Sequence, residues 1–296
     1  VISSLGVGIA GLPIVLSSVN KLITSNQIGI AFGLVNAGQS LGQLAIAPLA
    51  GLVIVKFGWV SCIYFLCFLF LLIIPCATFL RSRPKDDALS FEDNLGLKAT
   101  LSIAFKTPSY LYLISGFFVC GFHVAFIATH LPGVIAVCGL STVVSGWSLG
   151  LIGLFNIIGS IFAGWYISRY SMRYFLAYIY FSRSVIVLSF LASTKDVISI
   201  LVFSIALGFT YFSVIPATAG LIGKMFGAKF MATLFGFALF SHQIGGFLGA
   251  YLGGFFFSLT GDYTVVWLID ASLAVFASLI HIPIKERSVH QGALMT

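Results

Sequence analysis

The sequence predicts an all-α membrane protein, a bundle of about nine transmembrane helices, and three observations carry that expectation. Of its 296 residues 59% are hydrophobic and only 8% are charged, with a mean hydropathy of +1.11, a balance that no water-soluble domain sustains. About nine runs are long and apolar enough to cross about 30 Å of hydrocarbon as helices, and they are too long and unbroken for barrel strands. Shifted by 203 residues and laid on itself without a gap, the chain matches itself at nine positions between residues 13 and 58, among them Pro13 with Pro216, Gly42 with Gly245 and Gly58 with Gly261. The matches are mostly Gly and Pro, which decide backbone shape, so they mark a direct repeat of membrane segments in units of six helices.

The first run, near 1–19, is rich in Gly and lacks a basic n-region, so it reads as a span and not as a signal peptide. The second, 27–55, carries Gly29, Gly33, Gly38 and Gly42 at helix-packing spacing, with Asn36, Gln39 and Gln43 near its centre. The third occupies 58–80. The one long polar stretch, 81–107, opens with Arg81-Ser-Arg-Pro-Lys; its tail from Leu95 to Lys106 has the apolar spacing of an interfacial helix. The fourth run, 109–133, puts His123 and His130 on one face, and the fifth, 145–168, holds Gly146, Gly150 and Asn156 but no charge. Arg183 lies in the sixth, 174–193, and Thr210 and Tyr211 in the seventh, 197–222. The eighth, 230–257, has two small-residue rows, Gly245-Gly249-Gly253 and Gly246-Ala250-Gly254, beside His242 and Gln243. Asp270 lies inside the ninth, 264–283, and His281 near its end reads as interfacial.

With alternating spans, 12 of the 15 Lys and Arg fall on one side: Lys21, the basic residues of 81–106, Arg169, Arg173, Lys224, Lys229, Lys285 and Arg287. The positive-inside rule makes that side cytoplasmic and places the C-terminus there. The net charge of +7 is therefore a topology signal and implies no nucleic-acid partner. The expected partners are the lipid bilayer and a small-molecule substrate, with the protein acting as a monomer. Cys62, Cys67, Cys76, Cys120 and Cys138 lack metal-ligand spacing, and the chain has no phosphate-binding loop. No nucleophile, base and orienting acid can be assembled, so neither an enzyme nor a cofactor is expected.

The segment Gly164-Trp-Tyr-Ile-Ser-Arg-Tyr-Ser-Met-Arg173 resembles the cytoplasmic loop motif of the major facilitator superfamily, Gly-x-x-x-Asp-Arg-x-Gly-Arg-Arg. Gly164, Arg169 and Arg173 match; Ser168 stands for the Asp and Ser171 for the second Gly. Through Ala31, Gly33, Ala37 and Gly38, the segment from Gly29 resembles the fifth-helix signature of the monocarboxylate transporter and oxalate/formate antiporter branch, with Asn26-Gln27-Ile28 where a basic triplet is expected. Residues Gly121 to Pro132 resemble the seventh helix of bacterial carriers of that branch. The resemblance covers nearly the whole chain and implies helices 4 to 12 of 12, with three more expected before Val1. Residues 1–80 would be the back half of an N-terminal six-helix domain, 81–107 a cytoplasmic central loop, 108–284 a C-terminal six-helix domain and 285–296 a cytoplasmic tail. The implied location is the plasma membrane of a bacterium, its inner membrane.

Polar groups inside spans are costly unless partnered or wet, so function is sought among them. The 203-residue shift lays Gln39 on His242 and Ser40 on Gln243, giving two repeat-related helices polar groups at one depth. The expected substrate-binding residues are His123, Gln39, Asn36, Asn156, Tyr211, His242 and Gln243, with interhelical hydrogen bonding as the competing reading. His123 and His242 are the candidates for a coupling proton, because imidazole changes charge near neutral pH. Arg183 and Asp270, the only formal charges deep inside spans, are expected to neutralise each other as a structural pair on the peripheral ninth and twelfth helices that the resemblance implies. In carboxylate carriers of that branch a basic residue on the eighth helix is linked to the anion; the corresponding run here is uncharged. The expected function is secondary transport of a small organic anion, a monocarboxylate or dicarboxylate, by alternating access coupled to a proton or a counter-anion. A carrier of neutral solutes or amphipathic drugs and an inactive truncated fragment are the alternatives.

Overall fold

The computed structural model describes residues 11–23, 27–72, 74, 75, 78 and 96–288, and among them every regular element is a helix. In chain order these are α1 (Leu12–Leu22), α2 (Ile28–Leu71), α3 (Leu97–Lys106), α4 (Pro108–Val137) and α5 (Thr142–Ile167). They continue with α6 (Met172–Ala192), α7 (Val197–Thr210), α8 (Val214–Phe226), α9 (Met231–Thr260) and α10 (Thr264–His281). Six stretches are long and apolar enough to cross a membrane: α4, α5, α6, α7 with α8 as one stretch from Val197 to Phe226, α9 and α10. Leu12–Leu22 and Lys56–Leu71 are shorter apolar helices, and residues 1–10 and 79–95, where the first span, the third span and the polar loop continue, lie outside the described residues. Cys76 and the tail beyond Ser288 do too.

The repeat is visible in the backbone. Gly58 interrupts α2 with φ 82° and ψ 167°, leaving a first arm at 28–57. The 203-residue shift carries Ile28 onto Met231 and Gly58 onto Gly261, which ends α9 with φ 69°. Both glycines adopt the positive φ that L side chains avoid, but only Gly261, with ψ 8°, is a left-handed cap; Gly58 turns the chain by a different, extended ψ. Likewise α1 maps onto α8 within a residue at each end.

Glycine sets which helices touch most closely. A Cβ on Gly245 or Gly249 would run into the α4 backbone at Phe118 and Phe122, so this row of α9 lies flat against α4. Gly33 and Gly164 face each other across the α2–α5 seam; a Cβ on Gly33 would stand 2.6 Å from the Ser160 carbonyl and 2.9 Å from Gly164 Cα. In contrast, a Cβ on Gly42, Gly146, Gly150 or Gly153 would meet nothing within 4 Å. The seam is closed at the end bearing Gly29 and Ser168 and open at the other. Its closed end is backed by Phe32, Phe117, Tyr180 and Phe235 in one apolar cluster; Phe126, Phe190, Phe203 and Trp267 anchor a second. In the second, Phe190 and Phe203 stack at 4.3 Å and Trp267 stands edge-on to Phe126 at 4.7 Å.

The tail of the polar loop is the helix α3. It packs through Ala104 and through Phe105, whose ring meets Tyr110 at 5.8 Å and Phe237 at 5.3 Å. Thr107 then turns the chain and Pro108 starts α4 at the position where a missing N–H costs nothing.

Candidate functional site

The seventh run is not one helix. Pro216 has no N–H to give to the carbonyl four residues back, and residues 211–213 leave the helical path between α7 and α8. The freed backbone groups must find partners in the membrane interior. The Phe212 carbonyl accepts from Ile215 N at 3.0 Å and from Asn36 Nδ2 at 3.0 Å, while Phe212 N donates to Asn156 Oδ1 at 2.9 Å. The Thr210 and Tyr211 carbonyls accept from Arg183 Nη2 at 2.5 and 2.6 Å. Tyr211 Oη donates to the Val124 carbonyl at 2.9 Å, tying the break to α4.

Around this break α2 and α5 exchange a reciprocal pair of bonds. Asn36 Nδ2 donates to Ser160 Oγ at 2.7 Å and Asn156 Nδ2 to Ser40 Oγ at 2.6 Å. The same pattern, Asn-x-x-x-Ser, sits on each helix at residues 36–40 and 156–160, and because the two helices run antiparallel each Asn meets the other's Ser. All four side chains are buried. Asn36, Asn156 and Tyr211 are thus brought together, as interhelical hydrogen-bonding groups. Sequence reasoning missed Ser160 and the Phe212 backbone, and passed over Ser40 as a partner; the repeated four-residue spacing and Pro216 were the available signals.

The charged residues pair differently from expectation. Asp270 Oδ2 lies 2.6 Å from His123 Nδ1, with the two side chains 0% and 1% exposed. Arg183 instead caps the α7 carbonyls and lies over the Tyr180 ring at 5.2 Å. The expected Arg183–Asp270 pair is therefore corrected. A half-helix C-terminus in the membrane presents two unpaired carbonyls with partial negative charge, which draw the guanidinium; α10 packs on both α4 and α6, and His123 reaches the carboxylate from α4. His123 Nε2, Asp270 Oδ1 and Nε and Nη1 of Arg183 have no partner among the described residues. The fully buried Cys120 thiol lies beside both Arg183 and His242.

Three expected residues keep free polar surface. Gln39 and Gln243 are exposed and His242 is half-buried, its ring 5.0 Å from Phe117 and its Nδ1 3.4 Å from Gln243 Oε1. The structure does not bring Gln39 and the His242–Gln243 pair together, since α2 and α9 are not packed neighbours. The Gln43 side chain lies outside the described set. His130 bonds the Ala250 carbonyl at 2.8 Å. His281, the last residue of α10, is buried: it fills the space Gly116 leaves beside the Tyr180 ring.

The loop motif is tied down from outside itself. Gly164 contacts Gly33, Ser168 Oγ bonds back to the Gly164 carbonyl at 2.8 Å, and the Arg169 guanidinium lies 4.7 Å over Trp165. Arg173 Nη1 donates to the Ile284 carbonyl at 3.0 Å. Glu286 Oε1 accepts from Ser171 Oγ at 2.6 Å and from Arg173 N at 2.8 Å, and its Oε2 lies 3.3 Å from Lys224 Nζ. Burial pushes the Glu286 pKa up, but the Arg173 and Ser171 bonds and Lys224 outweigh it and hold the carboxyl below the ordinary glutamate value.

Residues 1–250 match the profile of the Major Facilitator Superfamily. The chain belongs to this superfamily. Among curated relatives it is 26% identical over 261 residues to the uncharacterized MFS-type transporter YcxA of Bacillus subtilis (strain 168), covering 85% of this chain and 62% of that protein. It is 25% identical over 291 residues to the hexuronate transporter of the same organism, covering 89% and 67%. It is 21% identical over 272 residues to monocarboxylate transporter 13 of Rattus norvegicus, covering 88% and 60%. The superfamily chain described here therefore spans roughly two thirds or less of the length of these relatives.

Proposed function

We propose that the protein is a secondary active transporter of a small organic anion, a monocarboxylate or dicarboxylate, working by alternating access with proton coupling or anion exchange. Residues 1–80 act as the back half of one six-helix domain, 81–107 as the connecting cytoplasmic loop, 108–284 as the second domain and 285–296 as a cytoplasmic tail, in a bacterial inner membrane. The observation that carries the reading is that the polar side chains left accessible on two separate helices, the amides of Gln39 on α2 and Gln243 on α9 with the imidazole of His242, are all neutral or able to take a proton. Asp270, the one carboxylate deep in a span, is spent on His123. These accessible groups therefore offer a cation no counter-charge, while a protonated His242 would offer one to an anion. The hexuronate and monocarboxylate transporters among the relatives are named for solutes that share a carboxylate, which supports the same class. His123, held by Asp270 beside the half-helix break, and His242 are the groups assigned to carry the coupling proton.

Uptake of labelled hexuronate and of small monocarboxylates into proteoliposomes containing the full natural protein tests this reading. Accumulation driven by an inward proton gradient or by counter-anion, with neutral hexoses excluded, is the expected result. Uptake of hexoses or of cationic drugs in preference to acids would reject it.

A further inference from the structure

Between α5, α6 and α7 the surface dips into a groove of about 470 Å³ lined by Phe162, Tyr166, Tyr178, Ile186, Ala206 and Phe209. Its serine and threonine make no polar demand on an occupant: Ser182 Oγ is satisfied by the Ile179 carbonyl and Thr210 Oγ1 by the Leu207 carbonyl. Along α6 the groove runs from Phe175 to Ile186, eleven residues and so about 17 Å at 1.5 Å per residue. That is close to half of the about 30 Å hydrocarbon thickness, the depth of one leaflet. The level of its mouth is fixed independently. Trp165, Tyr170, Tyr174 and Tyr178 are all exposed around the α5–α6 turn, the arrangement of an aromatic belt at a membrane–water interface.

The turn also supplies a cation. Phe162, on the groove wall, stacks on Trp165 at 5.8 Å, and the Arg169 guanidinium lies 4.7 Å over that same indole. Arg173 has its guanidinium committed to the Ile284 carbonyl, whereas Arg169 forms no ion pair among the described residues. We propose that this groove is a binding site for an anionic glycerophospholipid of the leaflet that meets the α5–α6 turn, one acyl chain lying along Phe162, Ala206 and Ile186 and the phosphate facing Arg169. An apolar groove at hydrocarbon depth with a cation at its headgroup end complements both parts of such a lipid. This site is on the lipid-facing side, apart from the α2–α5 seam, and does not depend on the identity of the cargo.

Native mass spectrometry tests it on the chain extracted from bilayers of phosphatidylcholine mixed equally with phosphatidylglycerol. The expected spectrum shows one retained lipid, with phosphatidylglycerol favoured by about fivefold, the contribution of a single interfacial cation. Arg169→Gln should remove the preference and Arg169→Lys should keep it. Ala206→Trp and Ile186→Trp, which fill the groove from two walls, should each lower retention of both lipids in a monodisperse helical protein. A preference that survives Arg169→Gln, retention unchanged by both groove fillings, or a dimer that either filling dissociates would overturn the proposal.

Discussion

His123 and Asp270 show how much a partner's identity matters inside a membrane. Each is buried, and each has one further polar atom with no partner among the described residues. Removing one member strands the other, at a cost of about 3–5 kcal/mol for a charged pair and about 1–3 kcal/mol for a neutral hydrogen bond. His123→Leu and Asp270→Leu should each lower the unfolding midpoint in detergent, and the double variant should recover part of the loss. Additive losses would reject the pairing. Asn36→Ala and Ser160→Ala should couple in the same way, since they share one bond; Asn36→Ala with Tyr110→Phe, whose hydroxyl bonds Leu234 elsewhere, should be additive. Which residues sit in the membrane was readable from hydropathy. Which of them touch was not, because apolar runs fix depth while the rotation of each helix about its axis decides whether Asp270 meets α4 or Arg183.

At the scale of the element, the helix boundaries were the legible part and the break was not. The apolar runs located the starts of α2 and α9, and the shift of 203 residues paired Gly58 with Gly261 because a positive φ at both writes itself into composition. Run 197–222 read as one span because a hydropathy window does not register a lost N–H, although Pro216 was already among the repeat matches. Pro216→Ala returns that N–H and invites α7 and α8 to join, competing with Asn36 for the Phe212 carbonyl. The cost of Asn36→Ala should therefore be smaller in a Pro216→Ala background than in the native chain, measured as a difference of unfolding free energies. An equal cost in both would show that the proline does not free that carbonyl. The Glu286 contact with the α5–α6 turn gives a second element-scale expectation. Its carboxyl pKa is lowered on folding, so its stabilisation is present above the ordinary glutamate value of 4.5 and is lost as pH falls through the lower folded value. Glu286→Gln should lower stability across the neutral range, where the native carboxylate contributes, and flatten the acid limb below about pH 4.5, so that the two proteins converge at low pH.

For the whole molecule, the α2–α5 seam carries the mechanical content of the proposed transport cycle. At one end it is sealed by Gly33 on Gly164 and by two reciprocal Asn–Ser bonds; toward the other, Gly42, Gly146, Gly150 and Gly153 face empty space. Access from the opposite side requires the sealed end to part, and the uncovered small residues are the surface on which the other end can close, since backbones approach most closely at Gly. A carrier that alternates must therefore break Asn36–Ser160 and Asn156–Ser40 in each turnover, at about 1 kcal/mol net for each bond, a cost small enough to be crossed quickly. Replacing Ser40 and Asn156 by cysteine, in the full natural protein freed of Cys62, Cys67, Cys76, Cys120 and Cys138, allows a short thiol-reactive cross-linker to hold this seam shut. Cross-linking should abolish proteoliposome uptake, while the uncross-linked variant and one modified at Ser40→Cys alone still transport. Uptake that continues through a fully cross-linked seam would mean that α2 and α5 move as one body and that the substrate crosses without this end opening.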